Sequence, residues 1–224
     1  MNRISNSKHL KRTIKNNLPK SLVIFLQKEK LHYWSRFNRD DLTKLAKIYS
    51  CDKWGKHFYT PHYETHFKKF KKEKINLLEI GIGGYEDPKK GGASLRIWKS
   101  YFEKAKIYGM DIHDKSLLEE KRIKTFKGSQ VDLNFLDTVK DEIGILDIII
   151  DDGSHVNEHI IKTFKHLFPL LKKGGIYVVE DLQCSYWPWY GGNSSPVSDP
   201  NTAMNYFCSL ANGLNHKEFL IKDY

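Results

Sequence analysis

From residue 75 onward, short apolar runs alternate with longer amphipathic stretches, the pattern of βαβ units building a parallel sheet. Strands are predicted over 76–80, 106–110, 123–127, 146–150 and 175–179, and helices over 94–103, 134–141 and 157–171. Gly174 and Gly175, after Lys172 and Lys173, read as the C-cap of the last of these helices. The first 50 residues lack strand signals. There, 21–28 carries an apolar stripe, and Asp40 or Asp41 can cap a helix running through Leu42, Leu45, Ala46 and Tyr49. Thr60 and Pro61 form an N-cap and N1 pair that predicts a helix over 61–70, ending in a lysine run. The expected organisation is a helical lead-in over 1–50 and one α/β domain over 51–224.

Composition supports a folded chain: 40% hydrophobic and 29% charged residues exclude global disorder. The longest apolar runs fall far short of the roughly 20 residues that span a bilayer, so no transmembrane helix is expected. The basic N-terminus lacks the pattern of a secretory signal, and the expected location is the cytoplasm. Cys51, Cys184 and Cys208 lie far apart and form no CxxC pair, which argues against a zinc site or a disulfide framework. A net charge of +10 raises nucleic acid, an anionic membrane or an acidic glycan as partners. Many of the lysines, however, lie in the first 30 residues and in 68–74, while the candidate chemistry is acidic, so a solvated charged face is the competing reading.

That chemistry starts at Leu77, Leu78, Glu79, Ile80, Gly81, Ile82, Gly83 and Gly84, an apolar strand entering a glycine-rich turn where backbone can approach a ligand. Glu86 occupies the place of the third glycine in G-x-G-x-x-G, which favours a nucleoside ligand without a pyrophosphate. Asp111 ends the next strand, where a carboxylate can accept both ribose hydroxyls; a helix N-cap is the competing reading. Ser129 and Gln130, beyond the third strand, stand where an adenine edge would lie.

Two later strands end in doubled acids, Asp151 with Asp152 and Glu180 with Asp181, and His155 follows the first pair. Four carboxylates at adjacent strand ends repel one another unless some are protonated or a cation sits among them, and all-oxygen ligands favour Mg²⁺, Mn²⁺ or Ca²⁺. Simple capping by Asp151 and Asp181 is the alternative. His155 to His159 also spells H-x-x-E-H, a zinc-peptidase string, but it lacks a third ligand and leaves the glycine turn unexplained. The run Tyr186, Trp187, Pro188, Trp189, Tyr190, Gly191 and Gly192 suits a lid or a stacking platform, with core packing as the alternative.

With "DKWGKHFYTPHYETHF", "LLEIGIGGY", "GGASLRIWKSYF", "IYGMDIHDKS", "DDGSH" and "VVEDLQCSYWPWYGG", the chain resembles the macrocin and mycinamicin type sugar O-methyltransferases. The resemblance implies a Rossmann-like class I methyltransferase sheet with helices on both faces, S-adenosylmethionine and Mg²⁺ as cofactors, and a small-molecule or glycan substrate. It implies Asp152, Glu180 and Asp181 as metal ligands and His155 as general base. Cofactor contacts are implied at Glu79, Gly81, Gly83, Tyr85, Ser94, Asp111, Ser129 and Gln130. That fold normally closes with a C-terminal antiparallel hairpin, for which residues up to Tyr224 leave too little room. An edge so exposed invites a second subunit, a homo-oligomer, or marks a non-catalytic binding protein. The basic balance keeps an RNA methyltransferase as a further alternative, against which the acidic site argues.

Overall fold

The computed structural model describes residues 19–218, which fall into two compact units divided between His66 and Phe67. In the first unit, α1 (Lys20–Phe37) is followed by α2 (Leu42–Tyr49). Of the two candidate caps it is Asp41 that accepts from Lys44 N, at 2.8 Å, and Ser50 ends α2 in the left-handed region. The next helix, α3 (Thr60–Phe67), begins at Thr60 itself, whose hydroxyl meets that of Thr43 at 2.7 Å; Glu64 accepts from Leu42 N. The lysine run leaves α3 as a single 3₁₀ turn, Lys68–Phe70, so the predicted helix is shorter than expected.

The second unit holds five parallel strands: β1 (Asn76–Ile80), β2 (Lys106–Asp111), β3 (Ile123–Lys127), β4 (Leu146–Asp151) and β5 (Leu171–Val179), in the order β3-β2-β1-β4-β5. The helices α4 (Ala93–Tyr101), α5 (Leu133–Ile143) and α6 (Asn157–Leu167) connect them. Every residue of β4 is buried, as the run Leu-Asp-Ile-Ile-Ile-Asp requires of a strand covered on both faces. Leu78, Ile80, Met110 and Ile149 pack on Leu136, Val139 and Leu167 to make one core. The chain runs from β1 outward to β3 and then returns to the other side of β1. The loops leaving β1 and β4 therefore diverge at a topological switch point, where open α/β sheets bind ligands.

The last crossover differs from the sequence expectation. Pro169 lacks an amide hydrogen, so α6 ends at Leu167 and gives way to a 3₁₀ turn, Phe168–Leu170. β5 begins at Leu171, four residues early, and its register slips between Leu146↔Leu171 and Ile148↔Ile176. Gly174 and Gly175 are thus not a helix cap but the irregular stretch of this strand. Gly174 supplies a φ of +81°, and a Cβ on Gly175 would lie 2.7 Å from Asp147 O. No residue of β5 is fully buried, and no strand follows it among the described residues. The expected short strand near 219–221 lies outside them. A further helix, α7 (Ala203–Gly213), is capped by Thr202. No described helix is long and apolar enough to cross a membrane.

Candidate functional site

The loop after β1 forms one wall of the crevice. Gly81 packs this wall against the end of β4: a Cβ there would lie 2.2 Å from Asp152 O. Gly83, at φ +71°, has only Gly91 Cα at 4.0 Å beside its Cβ position, so this is the turn glycine whose missing side chain leaves room for a ligand. Tyr85, also at positive φ, is 87% exposed over the same loop. Behind it lies Lys115, 1% exposed, whose Nζ donates to Tyr85 O at 2.6 Å, Asp87 O at 2.9 Å and Lys90 O at 3.2 Å. An ammonium has three hydrogens to give, and this loop takes all of them.

Asp111 ties the loop to β2. Its Oδ2 accepts from Ile82 N at 3.2 Å and its Oδ1 from His113 N at 2.9 Å, and each oxygen retains a lone pair for a further donor. Ser94 is buried in the first turn of α4. Glu79 is fully buried and its Oε2 accepts from Trp98 Nε1 at 3.0 Å, so this carboxylate braces β1 against α4. Ser129 Oγ accepts from Val131 N at 3.4 Å. Gln130 is more deeply engaged than the adenine reading requires. Its amide donates to Asp151 Oδ1 at 3.2 Å and to Thr163 Oγ1 at 3.2 Å, while its Oε1 accepts from Ser154 N at 2.8 Å.

This bracket explains why the four carboxylates do not converge. Successive strand residues point to opposite faces, and Asp151 turns into the protein towards Gln130 while Asp152 turns out. Burial pushes the Asp151 carboxyl up to about 7, against the opposing effect of hydrogen bonds from Gly153 N and Gln130; the neighbouring Asp152 charge adds to the rise. The group that does converge is Asp152, His155 and Asp181, with one ligand atom from each within 4.8 Å of the others. His155 Nε2 lies 3.9 Å from both Asp152 Oδ1 and Asp181 Oδ2. Glu180 is buried, donates its backbone N–H to Asp151 O, and stands outside this trio. His159 turns instead to Ser154, Nδ1 to Oγ 2.9 Å, so the H-x-x-E-H string does not assemble as a metal pair.

Two of the three converging residues carry backbone strain. His155 has φ +58° and Asp181 φ +55°, a region that costs a non-glycine residue about 1–3 kcal/mol. Neither side chain is needed for the core, and such strain concentrates at functional sites. The wall beside His155 is aromatic: Tyr190 meets its ring edge-on at 6.4 Å, and Trp187 stacks with Trp189 at 5.8 Å. This wall hangs on Asn157, 1% exposed at the start of α6. Its Nδ2 donates to Tyr190 O at 2.9 Å and Cys184 O at 3.3 Å; its Oδ1 accepts from Ala203 N at 2.7 Å and Ser185 Oγ at 3.0 Å.

Known proteins resemble this chain in sequence and in fold. The chain is 47% identical over 181 residues to demethylmacrocin O-methyltransferase of Streptomyces fradiae, and 44% identical over 181 residues to mycinamicin VI 2''-O-methyltransferase of Micromonospora griseorubida. The match takes in 80% of this chain but 46% and 45% of those proteins, so the chain spans about half the length of the curated relatives it matches. The structure of the methyltransferase MycE from the mycinamycin pathway, in complex with Mg, SAH and mycinamycin VI, superposes with a TM-score of 0.76 at 45% identity, covering 79% of this chain and 48% of that one. The fold is that of a class I methyltransferase. No protein-family model matches the chain. The resemblance read from the motifs is thus a resemblance in fold as well.

Within this methyltransferase fold, two residues that organise the site escaped the sequence reading. Lys115 stood inside the motif "IYGMDIHDKS" with nothing to distinguish it from a surface lysine, because the carbonyls it binds come from residues 85–90. Asn157 read as an ordinary helix start, since its four partners lie 27 to 46 residues further on.

Proposed function

We propose that the chain is an S-adenosylmethionine- and Mg²⁺-dependent O-methyltransferase acting on a sugar hydroxyl of a glycoside, a polysaccharide precursor or a glycolipid, with 51–224 as the catalytic domain. The observation that carries this reading is the meeting of Asp152, His155 and Asp181 at the switch point of a class I methyltransferase sheet. Two outward carboxylates held this close favour a cation between them, and oxygen ligands with room for substrate suit Mg²⁺. Asp152 and Asp181 would hold it, and Glu180, outside the trio here, would join them as the third ligand that the motif resemblance implies. Bound there, Mg²⁺ supplies Lewis acidity that makes a sugar hydroxyl more acidic.

The remaining work falls to side chains of this chain. His155 Nε2, 3.9 Å from Asp152 Oδ1 and from Asp181 Oδ2, accepts the hydroxyl proton. The exposed faces of Trp187 and Trp189 border the approach and suit a pyranose ring. Asp111 would take the ribose hydroxyls of the cofactor, Ser94 at the N-terminus of α4 its carboxylate, and the loop from Glu79 to Tyr85 its methionine portion, with Ser129 and Gln130 towards the adenine. Together they align the methyl group with the acceptor oxygen, which is the larger part of what displacement at a sulfonium requires.

Methyl transfer to a panel of glycosides with vicinal hydroxyls tests this. Turnover is expected to fall about 100-fold or more in EDTA and to return with added Mg²⁺. Full turnover in EDTA would refute the metal, and no transfer to any glycoside would refute the acceptor class. Lys115 gives a separate prediction. K115M leaves three loop carbonyls without their donor, so titration calorimetry should show S-adenosylmethionine binding weakened about tenfold or more, with kcat at saturating cofactor nearly unchanged. An unchanged affinity would show that the loop holds its shape without the ammonium.

A further inference from the structure

We propose that α1 docks the first unit on an anionic lipid surface, lying in the headgroup region without crossing it. The helix exposes its apolar side: Leu22, Leu26, Tyr33 and Phe37 are all exposed, the last two by 59% and 68%. At 100° per residue these four fall within an arc of about 60°, with Trp34 about 60° beyond it. Tyr33 packs on Phe37 at 4.7 Å and on Trp34 at 6.2 Å, so the aromatics form one continuous patch. Ser35, by contrast, is buried. A helix that packs a polar residue inward and turns leucines and aromatics to water has its apolar stripe reserved for a partner.

Charge identifies the partner. The first acidic residue of the chain is Glu29, and before it stand Arg3, Lys8, Lys11, Arg12, Lys15, Lys20 and Lys28. An uninterrupted basic stretch leading into an aromatic, leucine-bearing stripe combines the two signals that hold a peripheral protein on acidic phospholipid. Tyr and Trp suit the interface itself, where a ring can sit in the acyl boundary and its polar edge among headgroups. A second copy of the chain fits less well, because contact through the same stripe offers the basic stretch a single acid, Glu29, among residues 1–39. Nucleic acid would use the positive charge but has no use for Leu22 and Leu26. This proposal does not depend on the methyl-transfer reading.

Sedimentation of the full chain with lipid vesicles tests it. The chain is expected to pellet with phosphatidylcholine vesicles containing phosphatidylglycerol, to pellet far less with phosphatidylcholine alone, and to be released as salt is raised. Y33S/F37S should weaken the apparent affinity about tenfold or more, and K11Q/R12Q should weaken it with a smaller salt dependence. Far-UV circular dichroism and the thermal midpoint show whether each variant remains folded; should Y33S/F37S unfold, L26S, on the same stripe, replaces it. Failure to pellet, equal binding to neutral vesicles, or binding that both folded variants retain would each overturn the proposal. So would a dimer dispersed by Y33S/F37S, or RNA binding, in the absence of vesicle binding.

Discussion

An H155A variant is expected to lose about 10²–10⁴-fold in kcat while binding S-adenosylmethionine as tightly as the parent. His155 Nε2 is the basic atom placed between the Asp152 and Asp181 carboxylates, and removing it leaves the acceptor hydroxyl without a local proton acceptor. The backbone adds a second, independent consequence. Alanine inherits the strained φ of +58°, whereas glycine does not, so H155G should be about 1 kcal/mol more stable than H155A while remaining as inactive. Denaturant melts of the two variants, beside single-turnover methyl transfer with and without added imidazole, separate the effects. Undiminished turnover in H155A would dismiss this residue as the base. Equal stability of the alanine and glycine variants would show that the backbone relaxes once the imidazole is gone.

Loss of Asn157 is expected to be the most damaging single change to the architecture around the site. N157A strands Tyr190 O and Ala203 N and takes one partner each from Cys184 O and the Ser185 hydroxyl, which keep Trp187 N and Met204 N; at about 1–3 kcal/mol for each stranded group, the loss is about 2–6 kcal/mol. That is a large share of the roughly 5–15 kcal/mol by which a domain is stable. N157D is the more telling variant. It preserves the two bonds that Oδ1 accepts and replaces the donor facing two carbonyls with an acceptor, so it should destabilise nearly as much despite identical shape. Urea melts read the stability, and limited proteolysis reads whether the segment from Cys184 to Tyr190 loosens first. A wild-type melt for N157D would mean that these carbonyls do not need the amide.

The two predictions draw on the sequence to different degrees. His155 was legible because it follows a run of buried isoleucines that ends in acids, and a polar cluster at a strand end marks the rim of an α/β sheet. Even there, reading "Asp-Asp" as two outward carboxylates overlooked the alternation of strand side chains, which turns Asp151 inward to Gln130. Gln130 was noticed for its place after β3, but the side chain's partners, Thr163 and Ser154, come from segments that no local pattern connects to it. Asn157 and Lys115 left no trace at all, for the same reason.

What the sequence determined by itself is whatever short-range physics encodes: apolar period, capping and turn chemistry. The five strand positions, a helix cap at Asp40 or Asp41 and the glycine turn after β1 all followed from neighbours a few residues apart. Elements whose ends depend on a competing local effect shifted, as where Pro169 halted α6 and Gly174 let β5 start early. Only the tertiary structure could decide which carboxylate faces His155, that the strain at His155 and Asp181 coincides in one place, and that a buried lysine and a buried asparagine hold the two walls of the crevice. Those decisions rest on groups up to 46 residues apart along the chain, brought together by burial and the need of every buried polar atom for a partner, which no local pattern records.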